Sequence, residues 1–327
     1  MAFTDLPIDA LRAHRSTQTD PADFDDFWAG TLHEARLAGE GISPVVTLVE
    51  TELTTIDTFD VTFPGFGGQD VKAWLRVPHG HDGPLPGIVQ YVGYGGGRGH
   101  ALDNLVWASA GFAHLQMDTR GQGSGWSAGD TADDGPAGPQ VPGMLTRGIR
   151  SKEDYYYRRL ITDAVRAVDA MRTLPQVRAD AVGVFGQSQG GGLALAVAGL
   201  VDDLAALVSW VPFLCDFPRA TVITDATPYR EVADYLRVHR DEIEQAHRTL
   251  SYFDGVNFAK RATAPAHFSA ALMDEVCPPS TVFGAHNVYR GEASIDVWTY
   301  NGHEGGGSID IERGIAFLRE RTTPEPA

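Results

Sequence analysis

Three residues in the amino-acid sequence combine the types and surroundings that nucleophilic catalysis needs: Ser188, Asp274 and His303. Ser188 lies in Gly186-Gln187-Ser188-Gln189-Gly190, between the apolar run Ala181–Phe185 and the helical run Leu193–Leu200. A strand, a tight turn and a helix in that order lift a serine hydroxyl over the edge of a sheet. The glycines two residues to either side let strand and helix approach closely, and the helix N-terminus favours developing negative charge. The bare pattern arises often by chance, so its strand-turn-helix setting is what gives it weight.

A serine needs a base, and two histidines lie far enough downstream to serve. His303 sits in the glycine-rich Gly302-His303-Glu304-Gly305-Gly306-Gly307 after the last apolar run, where a loop can reach over strand ends. His286 falls inside the helical pattern Ser280–Tyr289, where a packed or surface histidine is the simpler reading. An acid must hold the imidazole in one tautomer and stabilise its charged form. Asp274 ends the run His267–Met273, at the carboxyl end of a strand, where open α/β sheets place their sites. Glu275 is its nearest rival. Asp296 lies within a strand, and Asp254 reads as a solvated or capping residue. An oxyanion needs two N–H donors. Gln189, next to the serine, supplies one, and Tyr94, in Gly93-Tyr94-Gly95-Gly96-Gly97 after an earlier strand, supplies the other. That glycine cluster lacks the Gly-Lys-Ser/Thr ending of a phosphate loop and fits the dinucleotide fingerprint poorly.

The elements that must position these groups follow from periodicity. Phe24, Phe27, Trp28, Leu32 and Ala35 recur at helical spacing, which makes residues 1–42 a helical extension. From Val45 to Val77 the period is two, the mark of antiparallel strands. Apolar runs at Gly87–Val92, Ala113–Met117, Ala181–Phe185, Ala205–Trp210, His267–Met273 and Ile295–Tyr300 then alternate with helical stretches, as in a parallel sheet buried on both faces. A helix is expected from about Lys152 to Leu174, with Ser151 and Asp154 as a capping box. Residues 212–261 break the alternation with helical segments and read as an insertion above the sheet. The simplest organisation is one domain spanning residues 1–327.

The 327 residues carry 26 Lys+Arg against 43 Asp+Glu, a net charge of −17, which makes nucleic acid and anionic membranes poor partners. With 43% apolar residues, whole-chain disorder is excluded. No Cys/His spacing suggests a zinc site, and no metal or other cofactor is expected. Two cysteines, Cys215 and Cys277, fit a reducing compartment. The first residues show neither a basic region nor an apolar segment, and nowhere do about 18 apolar residues run together, so the expected location is the cytoplasm.

Taken together, the motifs resemble the acetyl xylan esterase and cephalosporin-C deacetylase group, carbohydrate esterase family seven of the α/β-hydrolases. The resemblance runs from Asp23-Phe24-Asp25-Asp26-Phe27-Trp28 through Gly93-Tyr94-Gly95 and Asp118-Thr119-Arg120-Gly121-Gln122-Gly123 to the serine motif. It continues through Val211–Phe217 and Met273–Ser280 to His303-Glu304. It implies an α/β-hydrolase fold: a mostly parallel central sheet with helices on both faces, N-terminal antiparallel strands and a helical insertion. It also implies a triad of Ser188, Asp274 and His303, an oxyanion hole at the amides of Tyr94 and Gln189, and structural support from Arg120 and Gln122. Phe213 and Pro228 would wall a narrow acyl pocket, although ordinary apolar packing explains them nearly as well. The substrates implied are small acetyl esters, chiefly acetylated xylo-oligosaccharides, with cephalosporin C accepted by many members. The assembly implied is a disc-shaped homohexamer with sites facing an internal cavity. One departure is Val92, where many members have a histidine. The alternatives are a broad-specificity short-chain carboxylesterase or another α/β-hydrolase, and, outside enzymes, a binding protein on the same scaffold.

Overall fold

Alternating apolar positions turn the segment after residue 44 into three antiparallel strands, β1 (Val45–Val49), β2 (Ile56–Pro64) and β3 (Asp70–Pro78). On β3 the side chains of Val71, Ala73, Leu75 and Val77 are all buried, the pattern period two requires. The later apolar runs form β4 (Leu85–Tyr91), β5 (Ala113–Met117), β6 (Val177–Gln187), β7 (Ala206–Trp210), β8 (Ala266–Ala271) and β9 (Ala293–Trp298). In this computed structural model, which describes residues 2–3, 5–136 and 138–322, all nine strands join one sheet in the order β1-β2-β3-β5-β4-β6-β7-β8-β9. Pairing from β1 to β3, and of β3 with β5, is antiparallel; from β5 through β4 to β9 it is parallel. The mostly parallel α/β-hydrolase sheet expected from the sequence is therefore present.

The helices are α1 (Ile8–Ala13), α2 (Phe24–Ala38), α3 (Val106–Ser109), α4 (Tyr156–Arg172), α5 (Gln189–Leu200), α6 (Phe217–Ile223), α7 (Tyr229–Val238), α8 (Ile243–Ser251), α9 (Gly255–Ala259), α10 (Pro279–His286) and α11 (Ser308–Thr322). Successive strand residues face opposite ways, so each face acquires its own core. Val89 and Tyr91 join Ile161, Val165 and Val168 of α4 and Leu193 and Val197 of α5. Ile88 and Phe185 pack instead with Trp107 of α3 and Leu318 of α11. Among the described residues no helix is long and apolar enough to cross a membrane.

Two expectations change in detail. The long helix starts at Tyr156, with extended Tyr155 before it, not near Lys152. The Ser151 hydroxyl accepts from the N–H groups of Glu153 and Asp154 and closes a turn, while burial of Tyr155, Tyr156 and Tyr157 sets where the chain enters the helix. The segment 212–261 also does more than sit above the sheet. Its second half builds core: Phe253, Val256 and Phe258 pack among buried residues, and Gly199 of α5 lies so close to Phe258 that a Cβ would stand 2.7 Å from its carbonyl oxygen. Asp254 caps α9 by accepting from the Val256 N–H.

The N-terminal extension is keyed to that second half. Trp28 of α2 is 1% exposed, its ring lies 5.6 Å from Phe253 and 5.5 Å from Phe258, and its indole N–H donates to the Tyr252 carbonyl at 2.9 Å. Trp28→Ala removes this wedge and leaves a cavity, so urea unfolding is expected to show a loss of about 3–5 kcal/mol. A loss below about 1 kcal/mol would show that α2 is an ornament on an independently stable body.

Candidate active site

Strand β6 ends at Gln187 and α5 begins at Gln189, so Ser188 alone makes the turn, with φ 57° and ψ −123°. Positive φ is costly for any residue with a Cβ and persists only where the surroundings impose it. The neighbouring glycines allow the crossing. A Cβ on Gly186 would meet the Gly190 carbonyl carbon at 2.0 Å, and one on Gly190 would meet the Tyr91 oxygen at 2.1 Å.

The three predicted reactive side chains meet at this turn. His303 Nε2 lies 2.8 Å from Ser188 Oγ, and its Nδ1 lies 2.8 Å from Asp274 Oδ2. Asp274 is fully buried just beyond β8, and its Oδ1 accepts from the backbone N–H groups of Val276 and Cys277 at 2.8 and 2.9 Å. Those bonds fix the carboxylate's other oxygen toward the imidazole. The sequence rivals lie elsewhere: Asp296 pairs with Arg313 at 2.7 Å, and His286 ends α10 beside Asn287. The arrangement can relay a proton from a serine hydroxyl while a buried negative charge steadies the imidazolium.

The backbone N–H groups of Tyr94 and Gln189 have no acceptor among the described residues. The loops that carry them are locked together by side chains. Gln122 accepts from the Gly95 N–H at 2.6 Å and donates to the Gln189 side-chain oxygen at 2.9 Å. Gln189 in turn donates to the Val92 carbonyl at 3.1 Å and accepts from the Tyr157 hydroxyl at 2.9 Å. Arg120, also fully buried, forks onto Asp163 at 2.5 and 2.8 Å, and its carbonyl accepts from the Tyr156 hydroxyl, which Gln122 also reaches at 3.0 Å.

Ser188 and His303 open into a cavity of about 530 Å³, whose wall includes Tyr94, Trp126, Thr227 and Pro228. Phe213 is placed differently: it is fully buried behind the wall, its ring 6.1 Å from Tyr94 and 4.5 Å from Tyr229. Asp274, Cys277 and His303 also bring ligand-type atoms within 4.8 Å of one another. Both imidazole nitrogens, however, already face Ser188 and Asp274.

Residues 1–321 match the model of the family described as acetyl xylan esterase (AXE1). The chain belongs to that family. Acetyl esterase Axe7A of Xylanibacter ruminicola is 28% identical over 289 residues, which span 87% of this chain and 64% of that protein. Two solved acetyl xylan esterases are more similar. The structure from Paenibacillus sp. R4 is 36% identical, with a TM-score of 0.90 over 96% of this chain and 99% of its own. Acetyl xylan esterase 1 from Thermoanaerobacterium sp. JW/SL YS485 is 32% identical, with a TM-score of 0.88 over 98% and 100%.

Within this member of the acetyl xylan esterase family, some residues at the site carry no sequence signal. Val92 is buried, and its carbonyl, rather than its side chain, ties the loop to Gln189. Glu231 of α7 accepts from the Tyr94 hydroxyl at 2.7 Å and from the Leu145 N–H at 3.0 Å; burial pushes its carboxyl up. Burial, then the neighbouring Glu231, pushes the Tyr94 phenol up as well, so it remains a donor. Cys277 lies beside Ser188, and burial first, then Asp274, keeps it a neutral thiol. Glu231 was hidden in an ordinary amphipathic helix, and Cys277 in a turn.

The lock makes a measurable claim. Gln122→Ala deprives the Gly95 N–H and the Gln189 side chain of their common partner, so kcat on an activated acetate ester is expected to fall about 10–100-fold with a smaller change in KM. Unchanged kcat would mean that the two loops hold their geometry without it.

Proposed function

We propose that this chain is a serine esterase that removes acetyl groups from small acetylated xylo-oligosaccharides through Ser188, His303 and Asp274. The observation that carries the reading is the single line Asp274–His303–Ser188, with 2.8 Å at each link, at the mouth of a cavity. Family membership supports the chemistry. His303 takes the proton as Ser188 Oγ attacks the acetyl carbonyl, and the oxyanion is held by the N–H groups of Tyr94 and Gln189. The imidazolium then protonates the departing sugar hydroxyl, and the acetyl group stays on Ser188. Water, deprotonated by the same imidazole, attacks that acyl-enzyme and releases acetate. Cephalosporin C, itself an acetyl ester, is a second substrate under this reading. No step draws on a metal ion or organic cofactor.

Ser188→Ala and His303→Ala are each expected to lower kcat by about a millionfold, because the two side chains act as one unit, with circular dichroism unchanged. Retention of a tenth of the activity in either variant would reassign the nucleophile or the base. Exhaustive chelation is expected to leave the rate intact. Loss restored by Zn²⁺ would instead give the Asp274, Cys277 and His303 grouping a metal. Among p-nitrophenyl esters the acetate is expected to exceed the butyrate and octanoate in kcat/KM; a flat series would favour a broad carboxylesterase.

The same proposal extends to assembly and place. Among the described residues the outer edge of β1 has no partner strand, and Val45 is 62% and Leu48 57% exposed. Such an edge is usually covered, and a homohexamer would cover it. Light scattering should then give several times the 35.2 kDa monomer mass; a monomer would refute assembly. The cytoplasm suits Cys215 and Cys277, both free and buried thiols.

A further inference from the structure

The cavity at Ser188 is far larger than an acetyl group, and lies within the range of about 300–1,000 Å³ that takes a whole small ligand. One lobe of its wall, formed by Gln90, Asn104, Val106, Trp107 and Gln116, lies on the face of the sheet covered by α3 and α11. This lobe was not anticipated from the sequence. Gln90 and Gln116 stand side by side because β4 and β5 pair in parallel with these two residues in register.

Each amide in the lobe has one end tied and the other end free. Gln116 is only 2% exposed, and its Oε1 must be the tied end, since it accepts from Arg76 at 3.0 Å and from Asn104 Nδ2 at 3.1 Å. Its Nε2 has no acceptor among the described residues. That donor is open to whatever fills the cavity. Asn104 has used its nitrogen on Gln116, and among the described residues its Oδ1 receives no donor. Gln187 donates to the His303 carbonyl at 3.2 Å and likewise leaves its oxygen free. Gln90 is held at one end by His114 Nε2, 2.8 Å away. Behind Gln116, Arg76 keeps its charge while its three nitrogens donate to the uncharged oxygens of Ala101, Gln116 and His100.

The free ends are therefore neutral, and they mix donors with acceptors. An alkyl chain would leave them unpaired, and a carboxylate or phosphate, which offers acceptors only, could not pair with the Asn104 and Gln187 oxygens. Hydroxyl groups both donate and accept, so a polyol satisfies such a set. Trp107 and Trp126, which also line the cavity, add apolar surface of the kind a sugar ring covers.

We propose that this lobe is the subsite for the sugar alcohol, with Gln116 Nε2 and Asn104 Oδ1 as specificity-determining groups for its hydroxyls. The proposal rests on the acetyl-ester reading given above and adds where the leaving sugar binds and what recognises it. In this position the departing hydroxyl stays near His303, whose carbonyl is already bonded to Gln187.

Two variants at exposed positions test it without disturbing the core. Asn104 has φ 55°, so Asn104→Gly removes the amide while keeping a backbone that glycine adopts freely. Val106, 39% exposed on α3, lines the lobe, and Val106→Trp fills it. The probe is xylobiose, as an inhibitor of p-nitrophenyl acetate hydrolysis by the full chain, beside kcat/KM for acetylated xylobiose. Xylobiose is expected to compete with the ester in the wild type. Each variant should raise its inhibition constant about tenfold and lower the ratio of kcat/KM on acetylated xylobiose to that on p-nitrophenyl acetate, chiefly through KM. Thermal melting of each variant checks folding. Wild-type inhibition constants and ratios in both folded variants would overturn the subsite while leaving the esterase reading intact. A selective loss on p-nitrophenyl octanoate instead would make the lobe an acyl channel, and also overturn it. If the wild type cleaves p-nitrophenyl acetate but not acetylated xylobiose, the sugar-ester reading itself fails.

Discussion

The structure turns on one crowded crossing, where the end of β6, the start of α5 and the end of β4 come within van der Waals contact. Gly190 touches the backbone of Tyr91, and Gly186 touches Gly190, so no side chain fits at either place. Ser188 is held between them at φ 57°. Its strain is not removed by any local bond; it is opposed by the packing of β6 and α5, whose residues Val182, Val184, Leu193 and Val197 are fully buried. The hydroxyl is thus fixed by the core as a whole. That is why Ser188 sits at the end of β6, next to β4 in the middle of the sheet, while His303 sits on a loop.

From this crossing the order spreads outward through polar side chains that would be expensive to bury singly. Gln189 and Gln122 join the two loops that offer free N–H groups, and Tyr156 joins Gln122 to the Arg120 backbone. Arg120 and Asp163 are both fully buried. Asp133, also buried, takes Arg159 at 2.7 Å, and the Arg159 and Arg147 charges beside it outweigh its burial and hold its carboxyl low. Desolvation cancels much of the energy of such pairs, so their value lies more in geometry than in stability. Removing one partner strands a charge, whereas the complete set admits one arrangement. The loop that presents Tyr94 gains a second tether from Glu231, so the helical segment 212–261 holds the site from one side while α4 holds it from the other.

Much of this was legible in the sequence because it rests on short-range rules. Period two in β3, the buried runs of the parallel strands, and glycine spacing around Ser188 are each set by sterics within a few residues. Asp274 and His303 could be placed because strand ends and the loops beyond them converge on one edge of such a sheet. What remained hidden depends on distant contacts. The start of α4 is decided by burial of three tyrosines and not by Ser151, and Phe213 lies behind Tyr94 because Tyr229 and Tyr94 occupy its two sides. Nothing near Glu231 or Asn104 in the chain distinguishes them from surface residues; a tertiary partner does so in each case.

The charge of −17 fits a site of this kind in an indirect way. A neutral acetylated sugar, the substrate we propose, would gain nothing from the field of the whole protein, so its recognition would come from hydrogen bonds and apolar contact inside the cavity. Acetate, the anionic product, is repelled by the same field, although salt limits the effect to roughly 8 Å at physiological strength. Within the site the buried Asp274 carboxylate lies 2.8 Å from His303, well inside that distance. Under the proposed reading, recognition therefore rests on the amide-lined cavity, and the net charge adds only a weak outward push on acetate.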